Sequence, residues 1–248
     1  GADSIIANPG TIVGSIGVIM NYPVMTELLD KVGVEFETVK SGDLKDVGSY
    51  SREVTEADRN HFNEMVDAAL IRISNFIRKT PLQHSQILST LSGAEVYLKL
   101  ENYQVTGSFK ARGATNKLML LSEQQPQRII TASSGNHGSA VAYASAKLNL
   151  DVLIFLPETV SPAKLKKIKS YGAEVKISGH DSGDAEVAAK DFAEANNYLH
   201  LSPYNDVDVI IGQGTAAAEV CQEIDQLDAV FIAVGGGGLI SGIGGYLK

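Results

Sequence analysis

The sequence predicts an α/β protein in which parallel sheets are covered by helices, preceded by a smaller α/β segment. Three observations carry this. From about residue 93 onward, apolar β-branched runs alternate with helical patterns over short connections. Small or glycine-rich turns stand where a run passes into a helical pattern, at Ser133–Gly138 and Gly235–Gly238. The first third carries shorter runs of both kinds. Such alternation builds βαβ units, whose crossover helices cover both faces of a parallel sheet. The alternative is another mixed α/β packing.

In chain order, strands are expected at Ser4–Ala7, Ser15–Met20 and Glu35–Val39, with a helix at Pro23–Val32 between the last two. A long helix starts after Thr55, a plausible N-cap with Asp58 three residues on, a weaker form of the capping box. Phe62, Met65, Val66, Ala69, Ile73, Phe76 and Ile77 recur at spacings of three and four, making one apolar face up to the stop at Pro81. Strand-like runs follow at Glu95–Leu100, Arg128–Ala132, Val152–Leu156, Glu174–Ile177 and Ala229–Val234. Helical stretches lie near 109–121, 137–148, 162–170, 183–196 and 208–225. No Gly-, Pro- or Ser-rich linker, repeat or low-complexity tract interrupts them.

Composition bounds the function classes. At 248 residues and 44% hydrophobic content, the chain can bury a sizeable core in one or two domains and reads as soluble and globular. A net charge of −8 argues against sequence-independent binding to nucleic acid or anionic membrane. The single cysteine, Cys221, excludes an internal disulfide and is expected as a plain buried thiol in a helix. No apolar stretch reaches the roughly 18–20 residues of a membrane span. Gly1-Ala2-Asp3 does not open a signal peptide, so a cytoplasmic location is expected. With no initial Met, the chain is expected to be processed, trimmed or partial.

Three motifs carry chemistry. Lys110 stands in Ser108-Phe109-Lys110-Ala111-Arg112-Gly113-Ala114, at the start of a helical stretch. A lysine that forms an imine must be neutral part of the time, which partial burial or nearby cations allow; by itself a lysine here reads as a solvated surface group. Ser133-Ser134-Gly135-Asn136-His137-Gly138 follows an apolar run and opens a helix, so backbone N–H groups and a positive helix end face an anion. Gly235-Gly236-Gly237-Gly238-Leu239 repeats that arrangement, and successive N–H groups there can converge on a phosphate. A plain tight turn is the competing reading of the glycines.

In this order the motifs resemble the serine/threonine dehydratase and serine racemase family of pyridoxal-phosphate enzymes. The resemblance begins near Ala68. It implies the fold type II architecture, incomplete here, with residues 121–204 as a small domain and 68–120 with 205–248 as parts of a large one. It implies pyridoxal 5'-phosphate as cofactor, Lys110 as its Schiff-base lysine and Phe109 flanking its ring. Asn136 would meet the ring hydroxyl, and Gly235, Gly236, Gly237, Gly238 and Leu239 would hold the phosphate. Ser133, Ser134, Gly135, Asn136 and His137 would grip the substrate carboxylate, and the His137 side chain would open the helix rather than enter the chemistry. Ser202-Pro203-Tyr204-Asn205-Asp206 and Gly212-Gln213-Gly214-Thr215 also fit, leading back from the small domain to the large one. The implied reaction is β-elimination of L-serine or L-threonine to a 2-keto acid and ammonia. With Ser134 acting on the face opposite Lys110, it becomes racemisation. A small amino acid is the expected partner, no metal is expected, and the family's habit implies a homo-oligomer. Members continue beyond Lys248, so truncation is expected to impair activity.

Residues 1–67 resemble a different family. Ile6–Val18, Val39–Asp46 and Ser51–Thr55 are similar to signal peptide peptidase A, a crotonase-like Ser–Lys protease. Lys45 matches its general-base lysine, while Ser15 and Ser41 do not match its nucleophile. This implies either a peptidase remnant or a non-functional join of two gene fragments.

Overall fold

The computed structural model describes residues 55–247. The chain divides into two compact units, residues 1–58 and 59–248. The strands expected at Ser4–Ala7, Ser15–Met20 and Glu35–Val39, the helix at Pro23–Val32, and Lys45 lie outside the described residues.

Helix α1 is Glu56–Ile73. Its start is the reciprocal cap read from Thr55 and Asp58. The Thr55 N–H donates to the Asp58 carboxylate at 2.9 Å, and the Asp58 N–H donates to the Thr55 hydroxyl at 3.2 Å. The helix stops eight residues before Pro81, so Phe76 and Ile77 lie beyond it. Ile77 still joins Ile73 and Ala111 in the core, because a turn carries it back to the same side. The buried Gln104 amide then binds both the N–H and the C=O of Arg78, holding the chain out of helix there.

A two-stranded antiparallel sheet follows: β1 (Leu82–His84), α2 (Gln86–Ser92), then β2 (Tyr97–Lys99). The run at Glu95–Leu100 is thus a strand, but it pairs antiparallel with a neighbour outside the parallel sheet. A 3-10 turn, Glu101–Tyr103, leads to α3 (Lys110–Ser122).

Next come β3 (Ile129–Ala132), α4 (Asn136–Leu148), β4 (Val152–Leu156), α5 (Pro162–Lys169), β5 (Glu174–Ile177), α6 (Ser182–Asn196) and β6 (Leu199–His200). These strands form one parallel sheet in the order β5-β4-β3-β6. Val152, Ile154 and Leu156 point to the face covered by α4 and α5, while Leu153 and Phe155 point to the face covered by Ala185, Ala189 and Ala193 of α6. A strand apolar on both sides reads in sequence as an unbroken run, which is why β4 was legible.

Helix α7 is Val207–Cys221 and α8 is Gly238–Leu247. Helices α3 and α7 cross at backbone contact: a Cβ at Gly212 would lie 2.6 Å from the Gly113 Cα. On the other side of α7, Ile211 and Ala218 pack with Val66 and Ala69 of α1.

Two expectations are corrected. Ala229–Val234 forms no strand; it runs unpaired, with Phe231 90% exposed. Cys221 is exposed rather than buried, because it is the last residue of α7 and borders the exposed Gln222 and Glu223. Among the described residues, no helix is long and apolar enough to cross a membrane.

Candidate active site

The site gathers at the C-terminal edge of the parallel sheet, and the segment 201–204 is its hub. Lys110 opens α3, half-buried, and its Nζ donates to the Pro203 carbonyl at 2.7 Å. Burial pushes its pKa below the ordinary lysine value, since charge is harder to hold away from water. The Phe109 ring centroid lies 5.5 Å from the same nitrogen.

The turn 133–138 leaves β3 and enters α4. It is drawn tight by the Gly135 N–H donating to the Ser133 hydroxyl at 3.2 Å. Ser133, Ser134 and Gly135 are half-buried, and Asn136 is the exposed first residue of α4. His137 is buried. The single hydroxyl proton of Thr131 goes to the Leu201 carbonyl at 2.8 Å, so the 3.3 Å contact between that oxygen and His137 Nε2 needs its proton from the ring. Nδ1 is then the bare nitrogen, buried without a hydrogen-bond partner. Desolvation, then the positive Lys110 and His200, push the His137 pKa down to about 3. The ring is therefore a neutral donor at physiological pH.

The glycine turn approaches the lysine through Tyr204. A Cβ at Gly236 would lie 2.6 Å from the Tyr204 ring and one at Gly238 would lie 3.4 Å from the Tyr204 backbone. Gly237 has φ +88°, a conformation glycine adopts without strain, and a Cβ at Gly235 or Gly237 would meet nothing within 4 Å. The turn is therefore open to space at Gly235 and Gly237 and ends at the N-terminus of α8, where Leu239 is half-buried. The Tyr204 hydroxyl donates to the Glu186 carboxylate of α6 at 3.1 Å, and that bond raises its pKa.

These residues fit pyridoxal phosphate: a partly desolvated amine, a glycine turn with open space at one helix start, and a turn of small polar residues at another. Three contributors were missed from sequence. The Pro203 carbonyl is a backbone group and leaves no residue signature. Thr131 sat inside a strand pattern. Tyr204 lay in a segment singled out only for its place in the chain, although an aromatic residue before a glycine run across the site was a usable signal.

Residues 73–248 match the family described as pyridoxal-phosphate dependent enzyme, and residues 1–105 match peptidase family S49. The chain is 42% identical over 185 residues to a catabolic L-threonine dehydratase of Staphylococcus aureus, covering 74% of this chain and 54% of that protein. It thus spans about half the length of the curated relatives it matches. Serine racemase from Dictyostelium discoideum superposes with a TM-score of 0.70 at 37% identity, covering 75% of this chain and 61% of that one. The processed form of threonine deaminase isoform 2 from Solanum lycopersicum does so with a TM-score of 0.74 at 32% identity, covering 86% and 61%.

Proposed function

Because the chain belongs to the pyridoxal-phosphate dependent enzyme family, we propose that residues 68–248 serve deamination of L-serine or L-threonine to a 2-keto acid and ammonia, with serine racemisation as the variant outcome. The observation that carries this is the half-buried Lys110 amine, joined through Pro203 and Tyr204 to the open glycine turn. When bound, the cofactor supplies an aldehyde for covalent attachment and a ring that accepts the electrons left at the substrate's α-carbon.

The chain's own residues supply the rest. Lys110 is the attachment point and the base that moves the proton at the α-carbon; its lowered pKa raises the neutral fraction available near neutrality. The turn Ser133–His137 binds the substrate carboxylate with N–H groups at the start of α4. With the cofactor bound, Asn136 would meet its ring hydroxyl, Phe109 would flank its ring, and Gly235–Leu239 would hold its phosphate. Ser134, half-buried in that turn, is the group that would return a proton from the other side in racemisation. Residues 121–204 act as the small domain, with 68–120 and 205–248 in the large one. The match of residues 1–105 to peptidase family S49 supports a second reading for the N-terminal part, as a piece of such a peptidase.

The test is borohydride reduction after adding pyridoxal phosphate, followed by peptide mapping and by keto-acid assays with L-serine and L-threonine. A single reduced adduct on Lys110, absent in Lys110→Ala, is expected. No adduct, or labelling scattered over surface lysines, would sink the proposal.

A further inference from the structure

Arg112 lies two residues after Lys110 and is fully buried, yet none of the chemistry above uses it. Its donors are occupied on every side. Nε and Nη2 fork onto Glu101 at 2.9 and 2.8 Å, and Nη1 and Nη2 fork onto Glu219 at 2.8 Å each. The hydroxyls of Thr215 and Thr80 accept further contacts at 3.2 and 3.3 Å. Lys99 Nζ stands 2.6 Å from Glu219, so two cations meet two anions. Burial disfavours the charged guanidinium, but the hydrogen bonds and charges of Glu101 and Glu219 outweigh it and raise its pKa. Two forks at once require the planar guanidinium; a lysine ammonium cannot make them.

A second observation concerns the helix itself. Helix α3 starts without a side-chain cap, and Phe109 at that position is already in helical conformation. Its first two N–H groups make only long local contacts, Lys110 N–H to the Ser108 hydroxyl and Ala111 N–H to the Ser108 carbonyl, both 3.4 Å, while the Arg112 N–H donates to the Phe109 carbonyl at 3.0 Å and the Gly113 N–H to the Gln213 side chain at 3.3 Å. Long contacts hold the leading N–H groups of a helix only weakly, so a start like this one gains from an anchor further along the turn. Arg112 ties this turn to the 3-10 turn through Glu101 and to α7 through Glu219.

We infer that Arg112 is a positioning residue for Lys110: the clamp of Glu101, Arg112 and Glu219, completed by Lys99, holds the uncapped start of α3 so that the lysine amine keeps its half-buried place beside Pro203. The inference rests on the reading of Lys110 as the reactive amine, but its test need not use the cofactor. Competitive acetylation of the full chain from about pH 6 to about pH 11, which brackets an ordinary lysine, reads each amine by mass spectrometry. Exposed Lys164 serves as the internal reference.

In the wild type, Lys110 is expected to react at lower pH than Lys164. In Arg112→Lys the Lys110 profile should move toward that of Lys164, lowering its relative reactivity near neutrality by up to about tenfold. Glu101→Gln keeps an acceptor and the packing; it should shift the profile less, in the same direction, and it preserves the test where Arg112→Lys does not fold. An unchanged Lys110 profile in either variant, with a lowered melting temperature, would overturn the inference and leave the clamp merely structural. A wild-type Lys110 that reacts like Lys164 would overturn it too. A wild-type Lys110 that reacts at low pH, shifts in the variants, and takes no pyridoxal phosphate would support the clamp and defeat the cofactor reading instead.

Discussion

Val152–Leu156 and Ala229–Val234 are both short apolar runs rich in β-branched and aromatic residues, and they have opposite fates. The first is β4, between β3 and β5, with every residue buried. The second pairs with nothing among the described residues and exposes Val230, Phe231 and Val234. The difference lies in neighbours rather than in residue type. Strand preference describes how well a side chain fits a half-buried pleated surface, so it is realised only where an adjacent strand and a covering layer exist. Helices α4 and α5 on one face and α6 on the other give β4 both.

The widest separation between the two runs is in stability. Phe155 is 1% exposed and packs against Phe192 with ring centroids 5.5 Å apart, whereas Phe231 is 90% exposed. Phe155→Ala should cost about 3–5 kcal/mol, the usual range for emptying an aromatic site in a core. Phe231→Ala should stay within about 0.5 kcal/mol, as surface changes do. Paired urea melts measure both. Equal losses would break the comparison, because Phe231 would then have to be buried in solution.

The same contrast explains how much was readable from residues alone. The central strands and the helices between them were legible because burial on both faces writes an unbroken apolar run. At Ala229–Val234 that signal was present while its partners were not, and a run cannot report its own neighbours. Helix α2 buries no residue, so no periodicity marked it, and β6 is only two residues long. At the site, Lys110, the turn at Ser133 and the glycine turn were legible through motifs. The Pro203 carbonyl and the clamp on Arg112 were not, since both depend on residues some 90 to 107 positions away.

A smaller effect separates the two regions by pH. His137 is fully enclosed at the sheet edge, facing Lys110 and His200, and its pKa falls to about 3. The folded value lies below the ordinary 6.5, so the unfolded chain binds the extra proton first as acid is added. Stability from the neutral ring is complete above about pH 6.5 and declines below it, by at most about 1.4 kcal/mol per pH unit. His137→Asn should flatten the dependence of the melting midpoint between about pH 6.5 and pH 5 relative to wild type. A variant curve parallel to the wild type would mean that His137 is solvated and that the sheet edge is as open as the unpaired run.

The smallest effect lies where the regions meet. Tyr204 follows the sheet edge, lays its ring on Gly236 after the unpaired run, and donates its hydroxyl to Glu186 of α6. Because that bond holds the proton on the phenol and raises its pKa, its contribution is complete below about pH 10 and lost as the pH rises through the higher folded value. Tyr204→Phe removes the hydroxyl and keeps the ring, so it should cost no more than about 1 kcal/mol near neutrality, the net worth of one partly exposed hydrogen bond. If the ring alone joins the regions, adduct formation on Lys110 should survive Tyr204→Phe and fall in Tyr204→Ala, measured by the same reduction and mapping. Equal loss in both variants would shift the weight to Glu186 and make the junction a hydrogen bond between the turn and α6 rather than a packed contact.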